Sequence, residues 1–253
     1  MGIRVATFVC ILLSCNPLVF GQEKIPSPNE IPGLEALMKE TQRSVSNEGH
    51  VGLIWWIPTE FWEQAAEKHG SSIEQARKTF GTLRQYTVIG VAIGKLGIGN
   101  VNWYNEQIVR SSITLKDSDG TVYNPLTELS GDAKGLVSIF RVVFANMLGA
   151  MGQNFQILFF PAATAQGKRF ADPRQEGSFT VAFSYPQEKV ESLYEWRLPL
   201  TSLSPPKYCP VGKERVQADW KYCPWHGNKL DGAQGVPNEG PRTSSHPEEK
   251  KVP

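Results

Sequence analysis

Two hydrophobic patterns alternate along the chain, one typical of strands and the other of helices. Residues 50–57 form an unbroken apolar, aromatic and β-branched run that stops at Pro58, which predicts a buried strand. Six further runs with strand-like patterns cover residues 86–93, 107–116, 121–123, 155–160, 178–184 and 194–198. About seven strands are therefore predicted, and Asp119-Gly120 between two of the runs predicts a hairpin.

Helical spacing of apolar residues separates these runs. A helix is predicted to begin beside Pro58 and Thr59, because Glu60 then lies in the first turn, where the helix dipole favours an acidic side chain. Apolar residues at similar spacing predict three more helices, over residues 34–45, 73–83 and 134–148. The pattern as a whole predicts an α+β fold, with a β-sandwich-type domain and a few packed helices over residues 34–203.

The first 21 residues have the pattern of a cleavable signal peptide. Arg4 precedes an apolar run of about 16 residues that contains Pro17 and is shorter than the roughly 20 residues a membrane-spanning helix needs. Cleavage after Gly21 is the favoured interpretation, followed by a proline-rich linker over residues 22–33. The alternative is a lipid anchor at Cys15, which ends the lipobox-like sequence Leu-Leu-Ser-Cys.

Removal of the signal peptide changes the charge and the cysteine content. It takes away Arg4 and no acidic residue, which leaves 25 basic and 25 acidic side chains. We therefore expect no electrostatic affinity for nucleic acid or anionic lipid. Cys10 and Cys15 are lost with the signal peptide, whereas Cys209 and Cys223 remain. The chain has no Asn-x-Ser/Thr acceptor, which favours a bacterial source, and the polar residues 231–253 predict a disordered tail.

Two similar hexapeptides stand near the C-terminus. Residues 208–213 are Tyr-Cys-Pro-Val-Gly-Lys, and residues 222–227 are Tyr-Cys-Pro-Trp-His-Gly. This segment, residues 204–230, resembles a zinc ribbon, a family built on two Cys-Pro-x-Cys-Gly knuckles. The resemblance implies a small hairpin with Cys209, Cys223 and His226 as metal ligands. Gly212 stands where the first knuckle of the family has its second cysteine, so the fourth ligand must come from elsewhere, such as His246.

The two cysteines have three alternative states, of which a disulfide is favoured over bound zinc and over free thiols. Two thiolates on a tetrahedral zinc lie about 3.8 Å apart, so loss of the metal lets them close into a disulfide with modest backbone movement. Export favours that oxidation. A bridge between Cys209 and Cys223 closes a loop of about 14 residues, worth about 3 kcal/mol on the chain-entropy model.

No motif for catalysis or nucleotide binding stands out. The glycines of residues 90–99 fit neither a phosphate-binding loop nor a dinucleotide fingerprint, and are interpreted as strand glycines. Asp117 to Gly120 with Glu128 resembles the two ends of a calcium loop, but the glycine needed at its sixth position is replaced by Val122, so a hairpin turn is favoured.

Two functional hypotheses follow. The first is an exported, non-catalytic protein that binds a protein or an envelope component. The main domain loosely resembles uncharacterised exported bacterial β-sandwich proteins, a likeness that implies no assigned activity. The second is a hydrolase of cell-envelope polymers that uses Glu60, Glu63 or His50, although His50 and His69 are interpreted as structural residues. No organic cofactor is expected; zinc is the candidate metal of the two knuckles, and a loose surface calcium site at the Asp117 turn is the alternative to a plain hairpin.

Overall fold

The fold is a mixture of helices and antiparallel sheets, which confirms the α+β prediction. The computed structural model describes residues 33–230 except residues 48, 69, 187 and 189. The predicted signal peptide, lipid-anchor residue, linker and tail lie outside the described residues, as do His69 and His246. Within that part of the chain, no helix is both long and apolar enough to span a bilayer.

The elements follow one another closely along the chain. The α-helices are α1 (Leu34–Thr41), α2 (Thr59–Lys68), α3 (Ile73–Phe80), α4 (Glu106–Ser112), α5 (Gly131–Met147) and α6 (Gly149–Gly152). The strands are β1 (Gln42–Asn47), β2 (His50–Trp56), β3 (Tyr86–Leu96), β4 (Val101–Trp103), β5 (Ile113–Asp117), β6 (Val122–Tyr123), β7 (Gln156–Pro161), β8 (Gly177–Ser184), β9 (Glu191–Leu198), β10 (Lys207–Tyr208) and β11 (Arg215–Val216). Single 3₁₀ turns cover Gly81–Gln85 and Thr201–Leu203.

The larger sheet is organised around the long strand β3. Strand β2 pairs with one edge of β3 and with β1, while the other edge of β3 is shared by β7 and β4. Gly90 of β3 lies under the ring of Phe155, and a Cβ atom added there would overlap that ring. Gly90 and Gly94 therefore lie in a strand, as predicted, whereas Gly97 and Gly99 lie in the connection to β4. Gly90 is needed because an aromatic ring lies directly on the backbone.

The smaller sheet has the order β6-β5-β8-β9, and every pair is antiparallel. The predicted hairpin is confirmed between β5 and β6. Asp117 organises its turn: Oδ1 accepts from the backbone N–H groups of Asp119 (3.0 Å) and Thr121 (2.9 Å), and Oδ2 accepts from Tyr123 Oη (2.9 Å). Both carboxylate oxygens already have partners within the turn, which supports the hairpin interpretation over the calcium loop.

Aromatic contacts join the two sheets into one apolar core. Trp56 of β2 meets Phe179 of β8 edge-on at 5.0 Å, and Phe179 stacks on Trp196 of β9 at 5.1 Å. The indole N–H of Trp196 donates to the carbonyl oxygen of Thr41 (3.0 Å), so the end of α1 is fixed to β9. The same cluster of buried residues includes members of both sheets and of the helices.

Three long helices cover the core through a stack of aromatic rings. Trp62 of α2 is 1% exposed and packs against both Phe140 of α5 (4.1 Å, 7° between planes) and Phe80 of α3 (5.3 Å, 24°), whose own ring centroids are 6.3 Å apart. Helix α5 begins at Gly131, after Ser130, whose hydroxyl accepts from the N–H of Ala133. The predicted helix that begins beside Thr59 and the predicted helices over residues 73–83 and 134–148 are thus confirmed, with small shifts at their ends.

Two local predictions were wrong. Helix α1 ends at Thr41, and Val45, which we placed on its apolar face, lies in strand β1. Residues 107–112, predicted as the first part of a strand over residues 107–116, lie instead in α4, because Asn105 Oδ1 caps the helix by accepting from the N–H of Ile108 (3.0 Å). Strands β1 and β4 were not predicted.

Candidate metal centre

The first knuckle is a tight turn between strands β10 and β11. The N–H of Cys209 donates to the carbonyl oxygen of Glu214, and the N–H of Lys213 donates back to the carbonyl oxygen of Cys209, both at 2.9 Å. Lys213 has a φ of 61°, in the left-handed region that non-glycine residues rarely adopt. This reversal turns the chain so that the side chain of Glu214 points back toward Cys209.

The second knuckle repeats this hydrogen-bond pattern. The N–H of Cys223 donates to the carbonyl oxygen of Asn228 (2.9 Å), and the N–H of Gly227 donates to the carbonyl oxygen of Cys223 (2.8 Å). Gly227 has a φ of 67°, the counterpart of the left-handed Lys213. The two hexapeptides therefore fold alike, and each presents a cysteine side chain toward the other knuckle.

Four potential metal ligands meet between the knuckles. The donor atoms of Cys209, Glu214, Cys223 and His226 all lie within 4.8 Å of one another. His226 Nδ1 is 3.4 Å from each of the two sulfur atoms and 3.2 Å from Glu214 Oε1. Donor atoms at 2.0–2.3 Å from a tetrahedral zinc are about 3.3–3.8 Å apart. The cluster therefore has nearly the spacing that a zinc ion requires, and its donors are of types that zinc binds.

Burial divides the four ligands into two pairs. The cysteines are 0% and 1% exposed, whereas the side chains of His226 and Glu214 are 36% and 31% exposed. The sulfur atoms form an inner floor together with Val216 and Leu230, which complete the small apolar cluster of this segment. A metal bound here would face solvent on its nitrogen and oxygen side.

The surroundings favour the ionised carboxylate of Glu214 and disfavour the ionised thiol of Cys223. Burial raises the pKa of the Cys223 thiol. A hydrogen bond with its own backbone, then contacts with the two thiols and with His226, lower the pKa of Glu214. Zinc binds cysteine as thiolate, so metal binding would displace the thiol protons. A bound cation would supply the positive charge that a buried thiolate needs nearby in order to stay ionised.

The structure brings together the three ligands predicted from sequence and adds a fourth. Cys209 and Cys223 are free cysteines here, so the disulfide that we favoured is not formed in this structure. The fourth potential ligand is Glu214, within the first knuckle, and His246, the donor suggested from sequence, lies outside the described residues. The zinc-ribbon pattern gave no reason to select Glu214, because its ligands are cysteines at fixed positions.

No protein family, curated protein or solved structure matches this chain. The interpretation of the segment therefore depends on the positions of its own side chains.

Hydrogen bonds fix the segment to the rest of the fold. Glu40 of α1 accepts from the backbone N–H groups of Thr201 (3.0 Å) and Ser202 (2.9 Å) and from the Ser202 hydroxyl (2.5 Å). The Thr201 hydroxyl then accepts from the N–H of Ala218 (3.0 Å), inside the segment. A continuous chain of polar contacts thus runs from α1 to the metal-ligand hairpin.

The two glutamates proposed for catalysis are each paired with arginine. Glu63 is 6% exposed and lies 2.7 Å from Arg84 and 3.4 Å from Arg77. Glu60 lies 3.8 Å from Arg174, and burial, the largest influence, raises its pKa. Glu63 is therefore a buried carboxylate paired with two arginines, whereas Glu60 has one longer contact, with the exposed Arg174.

His50 lies at the opposite end of β2 from these glutamates. It begins the seven-residue strand, which spans about 20 Å. The ring is 1% exposed, its centroid lies 4.1 Å from that of Tyr185 with the ring planes tilted by 37°, and its Nε2 is 2.9 Å from Tyr104 Oη. The structure therefore does not bring His50 together with Glu60 and Glu63, although it does give His50 a polar partner inside the core.

Proposed function

We propose that this protein is an exported, non-catalytic binding protein whose residues 204–230 form a degenerate zinc ribbon. Cys209, Glu214, Cys223 and His226 are its zinc ligands. The observation that supports the proposal is the convergence of four donors of zinc-binding type from two knuckles of matching hydrogen-bond pattern. A segment that binds a structural zinc does not need a large apolar core, because the metal supplies folding free energy directly.

In this proposal, the segment stabilises a binding surface on a β-sandwich-type domain over residues 34–203. An open groove of about 480 Å³ lies where the two meet, and its lining includes Arg174, Lys207, Trp220 and Tyr222. Open, mixed polar and aromatic surfaces suit contact with another macromolecule better than enclosure of a small substrate. The partner in this proposal is a protein or another component of the cell envelope.

The test of the metal site is the zinc content of the purified chain, measured by mass spectrometry under native and denaturing conditions. We expect one zinc per chain, and loss of that zinc in Cys209→Ser and Cys223→Ser. Glu67→Gln, an exposed change on α2, is the control and should keep its zinc. A chain that carries no zinc and is two hydrogens lighter without reductant would establish the disulfide instead.

Export has its own test. When the full chain is expressed in a bacterial host with a secretion system, the mature N-terminus is expected at Gln22. A lipid-modified N-terminus at Cys15 would establish the anchored alternative. An uncleaved Met1 in the cytoplasmic fraction would contradict export altogether.

The alternative function is a hydrolase acting on envelope polymers. Glu60→Gln and Glu63→Gln separate it from the binding proposal, because a general acid or base at either position loses activity on such a change. We expect no turnover of peptidoglycan or polysaccharide by the unaltered chain. Turnover that the unaltered chain shows and either variant lacks would favour the hydrolase.

A further inference from the structure

We propose that Glu214 takes the place in space of the missing knuckle cysteine, and that this exchange sets which metal the site holds and how readily the metal leaves. The inference rests on the proposed zinc site. It assigns to Glu214 the role of specificity-determining ligand, with zinc favoured over softer ions such as cadmium.

The first step is the position of Gly212. The second knuckle provides its ligand His226 three residues after Cys223, and the equivalent residue of the first knuckle is Gly212. The backbone N–H of Gly212 points to Cys209 Sγ at 3.5 Å. A Cβ atom built on Gly212 would lie 2.6 Å from His226 Cε1 and 2.9 Å from Glu214 Cδ, and it would overlap Glu214 Oε2. A side chain at position 212 and the carboxylate of Glu214 therefore compete for one volume.

The second step is how Glu214 reaches that volume. The left-handed backbone at Lys213 reverses the chain, and pairing of Cys209 N–H with the Glu214 carbonyl holds the reversal. The Glu214 side chain then runs back over Gly212, which carries no side chain. Its Oε1 lies 3.2 Å from His226 Nδ1 and 3.4 Å from Cys223 Sγ. Gly212 and Glu214 thus act as a pair, since a larger residue at position 212 would displace the carboxylate.

The third step is the chemistry of the donor set. Thiolates favour soft ions, whereas carboxylates suit harder ones. With Glu214 the site has two sulfurs, one nitrogen and one oxygen, and a cysteine at position 212 in its place would raise the sulfur count to three. The carboxylate also lies on the half-exposed side of the site, where solvent and competing ligands reach it. The metal is therefore expected to exchange more readily than from a closed site rich in cysteine.

The experiment uses the full chain after signal removal and titrates it with Zn²⁺ and Cd²⁺ against a chromophoric chelator. The variants are Glu214→Gln, the exchange G212C/E214A, and the control Glu67→Gln. We expect Glu214→Gln to bind zinc at least about tenfold more weakly and to release it faster to the chelator. The exchange should recover zinc binding and shift the preference for cadmium over zinc upward by at least about tenfold. Co²⁺ absorption should show more thiolate charge transfer in the exchange than in the unaltered chain.

The outcomes separate the inference from the proposed function. If the unaltered chain binds no zinc, the proposed metal site is wrong and the inference falls with it. If it binds zinc and Glu214→Gln binds equally well, the zinc site stands and only the role of Glu214 is wrong. If the exchange variant does not fold, as judged by circular dichroism, the affinity and release rate of Glu214→Gln still decide the question.

Discussion

The main body, residues 33–203, and the C-terminal segment, residues 204–230, differ in how much apolar surface they bury. The main body buries large rings, of which Trp55, Trp56 and Trp62 are at most 1% exposed. The apolar cluster of the segment consists of four buried residues, two of which are the cysteines, with Trp220 packed beside them. Burial stabilises the first region, whereas the second buries little apolar surface and, in our proposal, depends on metal ligation for its stability.

The two regions also differ in where they place several aromatic rings. In the main body Trp55, Trp56 and Trp62 are buried, whereas in the segment Tyr222 and Trp225 are 60% and 64% exposed, although Tyr208 is buried. Trp225 stands between Cys223 and His226, so the tight knuckle that directs the ligands inward leaves this ring outside. In the segment, the inner positions are used for donor atoms.

The largest expected effect is on the core of the main body. Trp62→Ala should lower the free energy of unfolding by about 3–5 kcal/mol, because it removes a buried ring that packs against both Phe140 and Phe80. Denaturant unfolding measures the change. Trp225→Ala is the matched control with an exposed ring and should cost less than about 0.5 kcal/mol. Equal costs for the two tryptophans would contradict the contrast between the regions.

The next effect is confined to the segment. Cys223→Ser, or removal of zinc by a chelator, should lower the opening free energy of the amides in residues 204–230 by about 2–3 kcal/mol. The amides of β2 and β3 should keep their protection, because no ligand comes from the main body. Hydrogen exchange read by mass spectrometry resolves the two regions. Loss of protection throughout the chain would show that the regions unfold together.

A smaller effect is expected where the two regions are joined. Glu40→Gln weakens the acceptor of three hydrogen bonds from Thr201 and Ser202, and should cost about 1–2 kcal/mol. Since Thr201 also bonds Ala218, this change should increase hydrogen exchange in the segment while zinc stays bound. Glu35→Gln, on the same helix, is the control. Zinc loss from Glu40→Gln would mean that the main body helps to form the metal site.

The sequence predicted the parts of the fold that depend on burial. Residues 50–57 must lie inside because they contain no charged side chain, and β2 is indeed buried there. The polar strand β1 escaped prediction because its sequence, Gln-Arg-Ser-Val-Ser-Asn, has one apolar residue. Contacts with a distant part of the chain help to hold β1 in place. The Arg43 guanidinium donates to the carbonyl oxygen of Glu195 in β9, and the Asn47 amide donates to the Ser192 hydroxyl.

The candidate site was predictable as far as the knuckle pattern extended. Cys209, Cys223 and His226 follow from the repeated Tyr-Cys-Pro, since each knuckle places its donors at fixed spacing. Glu214 depends on a left-handed residue and on an unoccupied volume at Gly212, which only the folded backbone reveals. If Glu214 is the ligand we propose, glycine at a ligand position with an acidic residue two places later is the sequence pattern of this site.

The smallest expected effect concerns Glu60 and depends on pH. Because burial raises its pKa in the folded state above the unfolded value, the charged form is disfavoured in the fold. The contribution of this group to stability is therefore fully present below its unfolded pKa and is lost as pH rises through the folded pKa. Glu60→Gln removes that loss, and the exposed Arg174 at 3.8 Å offsets it little.

We therefore expect Glu60→Gln to be as stable as the unaltered chain near pH 4 and more stable at pH 7, by less than about 1 kcal/mol. Denaturant unfolding at both values of pH measures this difference, and Glu67→Gln, an exposed change on the same helix, should show no such trend. A variant that is less stable at pH 7 than at pH 4, relative to the unaltered chain, would show that the ion pair with Arg174 outweighs burial. Glu60 would then stabilise the main body through its charge, and burial of apolar side chains would not be the whole account of that region's stability.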